Sequence, residues 1–348
     1  MNEVIKQDMD FLCDRFPYQE EIQGKTILVT GATGLIAKNF TMFLISLNRK
    51  YNLNIKVLAL VRNMEKAHAA FKDFEGDDLV YLNQDICDPI NYDGNVDYIF
   101  HAAGSCSAEA IRRNPVGIIK ANTLGTINVL DFAKDHNVEK VVFPSTREIY
   151  GQVEGIENIQ ENNMGVIDPL NARNCYPESK RLAEALLKSY SEQYGVNFNI
   201  LRIAHTYGPG MEIRNDGRVM ADFIGAIVDN KDILLNSDGT AVRAFCYVTD
   251  AVEGIMHVMM KGEPNEAYNL ANETEPYMIR DVAQMLVDLY PERGLKVAFA
   301  NQDDADTKKG YLGYKIVKLD TSKLESLGWE PQVTLKRGMK HTVDYFNN

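Results

Sequence analysis

Residues 30–37 read Thr-Gly-Ala-Thr-Gly-Leu-Ile-Ala, and they constrain this chain more than any other stretch. They follow a short apolar segment, KTILVT at 25–30, that reads as a strand. They open an apolar-periodic segment, 35–47, that reads as a helix. A glycine-rich turn joining strand to helix within a βαβ unit is the form of a dinucleotide-binding turn. Gly31 permits the tight turn. Gly34 lets the backbone approach a pyrophosphate at the helix N-terminus. Ala37 stands where close helix–strand packing needs a small side chain. Thr33, Leu35 and Ile36 complete the turn and are expected, with Gly31 and Gly34, to line the cofactor.

The same alternation continues downstream. Further strands are predicted at 55–61, 79–83, 98–101, 141–144 and 199–203, and helices at 65–71, 107–135 and 176–195. Strands that alternate with helices imply an α/β fold, a doubly wound parallel sheet covered on both faces. Beyond residue 204 the elements become shorter and mixed, which predicts a smaller mixed α/β C-terminal substrate lobe. Val4, Phe11 and Leu12 have helical spacing, so residues 1–24 are predicted to be a helical extension. The nucleotide-binding domain is then 25–204, with a strand and helix near 241–262 returning to it. The substrate lobe is a discontinuous 205–348. The polar stretch 152–171 reads as a long loop, the kind that borders sites.

Net charge is −12 over 348 residues, so nothing electrostatic favours nucleic acid or an anionic membrane as partner. The five cysteines include no CxxC pair, which argues against a disulfide framework and against a metal site. No apolar run reaches membrane-spanning length. A cytoplasmic, reduced location is expected.

The chemistry-bearing residues cluster at strand ends, where open α/β sheets hold ligands. The second strand ends in Val61 where an acid would meet a ribose 2′-hydroxyl, and Arg62 follows. Arg62 suits a 2′-phosphate or is a solvated surface arginine, so NADP is open beside NAD. Asp85 and Ile86 are placed to flank an adenine. His101 is followed by Ala102, Ala103 and Gly104, small residues that leave room for a cofactor. Tyr176 and Lys180 lie four residues apart and share a helix face. A lysine beside a phenol lowers its pKa, and a phenolate can take a proton from a sugar hydroxyl while hydride leaves the same carbon. Thr146 would hold the shared proton. Ser145, Arg147 and Glu148 flank it in "VFPSTREIYG" at 142–151.

With these motifs the chain resembles the extended short-chain dehydrogenase/reductase family, specifically its nucleotide-sugar epimerases, dehydratases and decarboxylases. The resemblance runs from about Lys25 nearly to the end. It includes TGATGLIA, Asp85-Ile86, HAA, ANTLGTINVL at 121–130, PSTREIYG, Tyr176/Lys180, RIAHTYGPG at 202–210, VRAFCYVTD at 242–250, YNLAN at 268–272 and LGWEP at 327–331. It implies a Rossmann-type domain holding NAD(P), with the small lobe over a nucleotide sugar. It makes Thr146, Tyr176 and Lys180 catalytic, with Glu148 and Arg147 beside them. Asn122 matches the family's helix asparagine, and Arg218 and Arg243 match arginines that contact the nucleotide diphosphate. It also implies a homodimer through the helices near 107–135 and 176–195. His205 stands where an asparagine normally meets the sugar diphosphate; it either replaces that contact or is structural.

Arg147 is the departure that bears on the reaction. In the 4,6-dehydratases this position is an acid, whereas an arginine cannot deliver a proton near neutral pH. In the uronate decarboxylases the stretch reads Thr-Ser-Glu. The expected activity is therefore C4 oxidation to a 4-keto intermediate, of the uronate decarboxylase or 4-epimerase type. The alternatives are a 4,6-dehydratase or 4-ketoreductase, and a non-catalytic NAD(P)-binding scaffold. Arg147 either forks onto a C6 carboxylate or turns away to pair with Glu148 or another acid.

Overall fold

The computed structural model describes residues 1–214, 216–300 and 318–347. Among them, seven parallel strands form one sheet: β1 Thr26–Thr30, β2 Lys56–Val61, β3 Leu79–Asn83, β4 Tyr98–His101, β5 Lys140–Thr146, β6 Phe198–Ile203 and β7 Glu266–Leu270. Their spatial order is β7-β6-β5-β4-β1-β2-β3. The order reverses between β1 and β4, so the connections leaving their C-terminal ends diverge and open a crevice for a ligand.

Successive strand residues face opposite sides of a sheet, and here both sides are covered. Ile27 and Val29 pack with the Leu35–Tyr51 and Val248–Lys261 helices. Leu28 packs on the other side with the Pro115–Asp135 and Cys175–Tyr194 helices. Burial on both faces is why these strands read as apolar runs rather than as alternations.

Three elements differ from the sequence expectation. The helical stretch 107–135 is two helices, Ala108–Arg113 and Pro115–Asp135. Asn114 breaks them: its side chain caps the second by accepting from Gly117 N at 3.1 Å, and Pro115 takes the first helical position, where a missing N–H costs least. The strand expected near Phe245 is only Cys246–Tyr247, and it pairs with Thr206–Tyr207 outside the main sheet. Residues 266–270, numbered within the substrate lobe by the sequence, form β7 beside β6.

The Glu3–Arg15 helix packs against both the Leu35–Tyr51 helix and the C-terminal Leu335–Asn347 helix, burying Val4, Ile5, Met9 and Leu12. Asn2 caps it at Val4 N, 3.0 Å away. Its buried Asp8 accepts from Tyr247 Oη at 2.7 Å. The Val219–Val228, Ile279–Asp288 and Leu335–Asn347 helices surround a second core that includes Phe223, Ile224, Leu286 and Met339. The tail returns to the first domain through Trp329, whose Nε1 donates to Asp250 O at 2.8 Å. Within the loop 152–171, Asn158–Ile159 pairs with Lys318–Leu319. No helix among the described residues is long and apolar enough to cross a membrane.

Candidate active site

The crevice between β1 and β4 is held at a fixed width by a buried relay. Thr126 Oγ1 donates to Asn122 O at 2.6 Å, so it accepts from His101 Nε2 at 3.1 Å. His101 Nδ1 then accepts from Thr30 Oγ1 at 2.9 Å, and Thr30 Oγ1 accepts from Ala103 N at 3.0 Å. The relay needs a neutral imidazole, and burial supplies one by pushing His101 down to about 3. The two strand ends thus approach closely. Gly31 has φ 62°, and a Cβ there would lie 2.8 Å from Ala103 Cα and 2.9 Å from Ala102 O.

Gly34 caps the Leu35–Tyr51 helix with extended backbone and no side-chain bond. The first-turn N–H groups are therefore left for an anion. A Cβ on Gly104 would lie 2.7 Å from Asn122 Oδ1. That oxygen is buried without a hydrogen-bond partner, while Asn122 Nδ2 donates to Ser179 Oγ at 2.9 Å. An orphaned acceptor beside a glycine that leaves space fits a bound ligand.

At the adenosine end, exposed Arg62 lies 3.5 Å from Asp85 Oδ2. Asp85 accepts from Cys87 N at 2.9 Å, and that bond, with help from Arg62, holds its carboxyl below the usual range. Ile86 differs from expectation. Its side chain is buried against Gly125 in the core beneath the Pro115–Asp135 helix, and its carbonyl accepts from Asn128 Nδ2 at 2.9 Å.

The reacting groups meet at the end of β5. Thr146 is its last residue, and its Oγ1 accepts from Glu148 N at 3.2 Å, capping the one-turn helix Arg147–Tyr150. Thr146 also lies near enough to the Tyr176 phenol to favour its ionised form. Tyr176 and Lys180 share a face of the Cys175–Tyr194 helix and are both buried. Lys180 is anchored on the neighbouring strand. Its Nζ donates to Pro144 O at 2.9 Å and lies 4.3 Å from the centre of the Phe143 ring. Burial pushes it down to about 8. The Tyr176 phenol is pushed up by burial, then by Cys106 and Glu148, with Thr146 pulling the other way. Desolvation of a phenolate is the largest influence on the phenol.

Ser145 is also a correction. It points to the opposite side of the strand from Thr146, and its hydroxyl donates to Glu184 Oε1 at 2.5 Å. Glu184 pairs with buried Arg202 at 2.7 Å, and Arg202 donates to Tyr150 Oη at 3.0 Å. Ser145 thus anchors β5 to its neighbours instead of facing a sugar.

Beside Thr146 three basic side chains gather. Arg147 Nη1 donates to His205 Nε2 at 3.2 Å. Burial, Arg147 and Arg243 together push His205 down to about 3, so the imidazole is neutral and accepts. Burial and Arg147 push Arg243 down to about 10. Glu148 pairs with Arg173 at 3.0 Å, and its other oxygen is buried without a partner. Arg218 is forked onto buried Asp216 and lies within electrostatic reach of Tyr176 and Cys106. Arg173, Glu184 and Cys106 had no signal in the sequence. The first two are single charges outside any motif, and Cys106 is a loop residue whose closeness to Tyr176, Lys180 and Arg218 arises from folding alone.

The model of the NAD dependent epimerase/dehydratase family matches residues 27–271. The chain belongs to that family. Its relatives include UDP-glucuronic acid decarboxylase 6 of Arabidopsis thaliana, 35% identical over 260 residues, which cover 74% of this chain and 71% of the relative. UDP-glucuronic acid decarboxylase 1 of Xenopus tropicalis is 30% identical over 329 residues, covering 94% of this chain and 74% of the relative. Among solved structures, UDP-glucuronic acid 4-epimerase from Bacillus cereus in complex with UDP-glucuronic acid and NAD superposes with a TM-score of 0.77 at 22% identity. That match covers 92% of this chain and 99% of the other. UDP-N-acetylglucosamine 4-epimerase from Methanobrevibacter ruminantium M1 gives 0.80 at 21% identity, covering 93% and 99%. The structural likenesses show that this family member shares their fold.

Proposed function

We propose that the chain is an NAD-dependent enzyme that oxidises a UDP-linked hexuronate at C4 and decarboxylates it through the 4-keto intermediate. The observation that carries this is the gathering of Arg147, His205 and Arg243 next to Thr146, which lies near the Tyr176 phenol. Two guanidinium groups that repel one another favour an anion between them, and a C6 carboxylate is the anion nearest a reacting C4. The decarboxylases among the relatives agree with it.

Each residue has a distinct task in that reaction. NAD, when bound, supplies the hydride acceptor. The Gly34 helix end and the space beside Gly104 and Asn122 fit its pyrophosphate and its nicotinamide end. Tyr176 takes the C4 hydroxyl proton, and Thr146 holds that hydroxyl in line. Lys180 orients the cofactor ribose from its seat on Pro144 O. Loss of hydride and proton leaves a ketone β to the carboxylate; the C5–C6 bond electrons then pass into an enolate as carbon dioxide leaves, and the enolate takes a proton at C5. Arg147 holds the carboxylate, and Glu148 is the acid nearest the sugar. Re-reduction from the other face, without loss of carbon dioxide, would instead give a 4-epimer, the kind of reaction for which the Bacillus cereus 4-epimerase is named. A 4,6-dehydratase lacks its acid here, because Arg147 occupies the position. A mere scaffold has no need of Thr146, Tyr176 and Lys180 together.

The same proposal includes a homodimer. Val116, Ile119, Leu124, Leu182 and Tyr194 are exposed along the Pro115–Asp135 and Cys175–Tyr194 helices. It also includes a reduced, cytoplasmic setting. The test is to supply UDP-glucuronate and dTDP-glucose side by side and follow products by NMR. Conversion of the uronate with release of carbon dioxide is expected. A 4-keto-6-deoxy product from the neutral sugar, with the uronate untouched, would sink the proposal.

A further inference from the structure

The geometry points to His205 as the positioning residue that aims Arg147 at the C6 carboxylate and so sets the preference for an acidic sugar. This rests on the uronate proposal above. β5 and β6 are neighbours, with Thr146 opposite Ile203 in the register. The chain leaves both strands at that point, so Arg147 and His205 emerge side by side. Arg147 Nη1 donates to His205 Nε2 at 3.2 Å. One of the guanidinium's five N–H groups is thus held by the imidazole, which fixes the direction of the fork.

The backbone at His205 is held for this purpose. Its φ of 46° lies in the left-handed region, which non-glycine residues enter uncommonly, histidine more readily than most. Ala204 N donates to Leu270 O at 3.0 Å, and His205 O accepts from Cys246 N at 3.2 Å. Both sides of the turn are therefore tied down, one to β7 and one to the Cys246–Tyr247 strand. The ring lies 5.8 Å from that of Phe245. An imidazole suits the task because it accepts from Arg147 without adding charge. A carboxylate in its place would neutralise the two arginines and compete with the substrate. Glu273 also lies within electrostatic reach of Arg147, but burial raises its pKa, which weakens it as a rival anion.

The choice of side chain distinguishes this role from direct contact with the diphosphate. A glutamine amide reaches about as far as imidazole Nε2, whereas an asparagine amide ends near Nδ1. Wild type, His205→Gln, His205→Asn, His205→Gly and Arg147→Met are each titrated with UDP-glucuronate and UDP-glucose by calorimetry, with NAD bound. Asparagine and glycine tolerate positive φ, so those variants are expected to fold. Wild type should prefer the uronate. His205→Gln should keep that preference, and His205→Asn and His205→Gly should lose about tenfold of it, the scale of one hydrogen bond to a charged group, with UDP-glucose affinity unchanged. His205→Gly combined with Arg147→Met should be no worse than Arg147→Met alone, because the histidine acts through the arginine. If wild type prefers the uronate but His205→Gly keeps that preference, or weakens both sugars alike while His205→Asn restores both, the positioning role is wrong and the uronate proposal stands. If wild type binds both sugars equally, both are overturned.

Discussion

Replacing Gly31 with alanine tests whether the narrow gap between β1 and β4 is what holds the cofactor. Two costs follow from the geometry. Alanine at φ 62° sits in the left-handed region, which costs about 1 kcal/mol. The added Cβ would also meet three backbone atoms, Ala103 Cα at 2.8 Å, Ala102 O at 2.9 Å and Ala103 N at 3.0 Å. None of these can rotate aside, because the His101 relay ties Ala103 N to Thr30. Forcing an extra carbon into such a place costs about 1 to 3 kcal/mol more. Gly24 is the control: its φ is 74° and nothing lies within 4 Å of its ideal Cβ. Gly24→Ala should therefore lose only about 1 kcal/mol, and Gly31→Ala about 2 to 4 kcal/mol. Urea unfolding followed by circular dichroism and by the single buried Trp329 reads both. Calorimetry with NAD should show affinity unchanged in Gly24→Ala and weakened about tenfold or more in Gly31→Ala. The reasoning fails if Gly31→Ala lies within about 0.5 kcal/mol of Gly24→Ala, the size of an unremarkable difference, or if its NAD affinity is intact.

Tyr176→Phe should retain fold and NAD but lose turnover by about a hundred- to ten-thousand-fold, the range for a positioned acid–base group. Turnover near wild type, measured as carbon dioxide release, would remove the phenol from the reaction. Val61 offers no acid to a ribose 2′-hydroxyl and Arg62 is 76% exposed, so NADP should bind measurably beside NAD, and Arg62→Glu should abolish only the NADP binding. Mass spectrometry of released nucleotide and direct titration check this; absence of NADP affinity in wild type refutes it. His205 is pushed from 6.5 down to about 3 in the fold. Below pH 6.5 the unfolded chain takes up a proton that the folded chain refuses, so this contribution to stability falls as pH falls toward 3. Relative to His205→Gln, wild type should lose about 1 to 2 kcal/mol between pH 7 and pH 5, discounted for partial exposure. Parallel urea curves for the two proteins across that range would contradict the assignment.

Much of the molecule was legible in the one-dimensional pattern. The glycine turn, the apolar runs of β1 to β6 and the Tyr176/Lys180 spacing are local features, and local sterics and burial on both sheet faces dictate them. They determined a doubly wound sheet with a cofactor crevice at its strand ends. Tertiary structure alone decided the rest. Ser145 and Thr146 are adjacent hydroxyls, yet Ser145 bonds Glu184 while Thr146 caps the turn at Glu148 N near the phenol. Lys180 was expected beside the phenol; the fold also seats its Nζ on Pro144 O, and burial, which belongs to the packed molecule, raises the phenol's pKa. Residues 266–270 carry no mark of their sheet; pairing with β6 makes them its seventh strand. Arg147 and His205 are separated by 58 residues, and only the parallel register of β5 and β6 brings them into contact. Hydrogen bonds and charge interactions act over a few ångströms of space, and distance along the chain says nothing about which groups come that close.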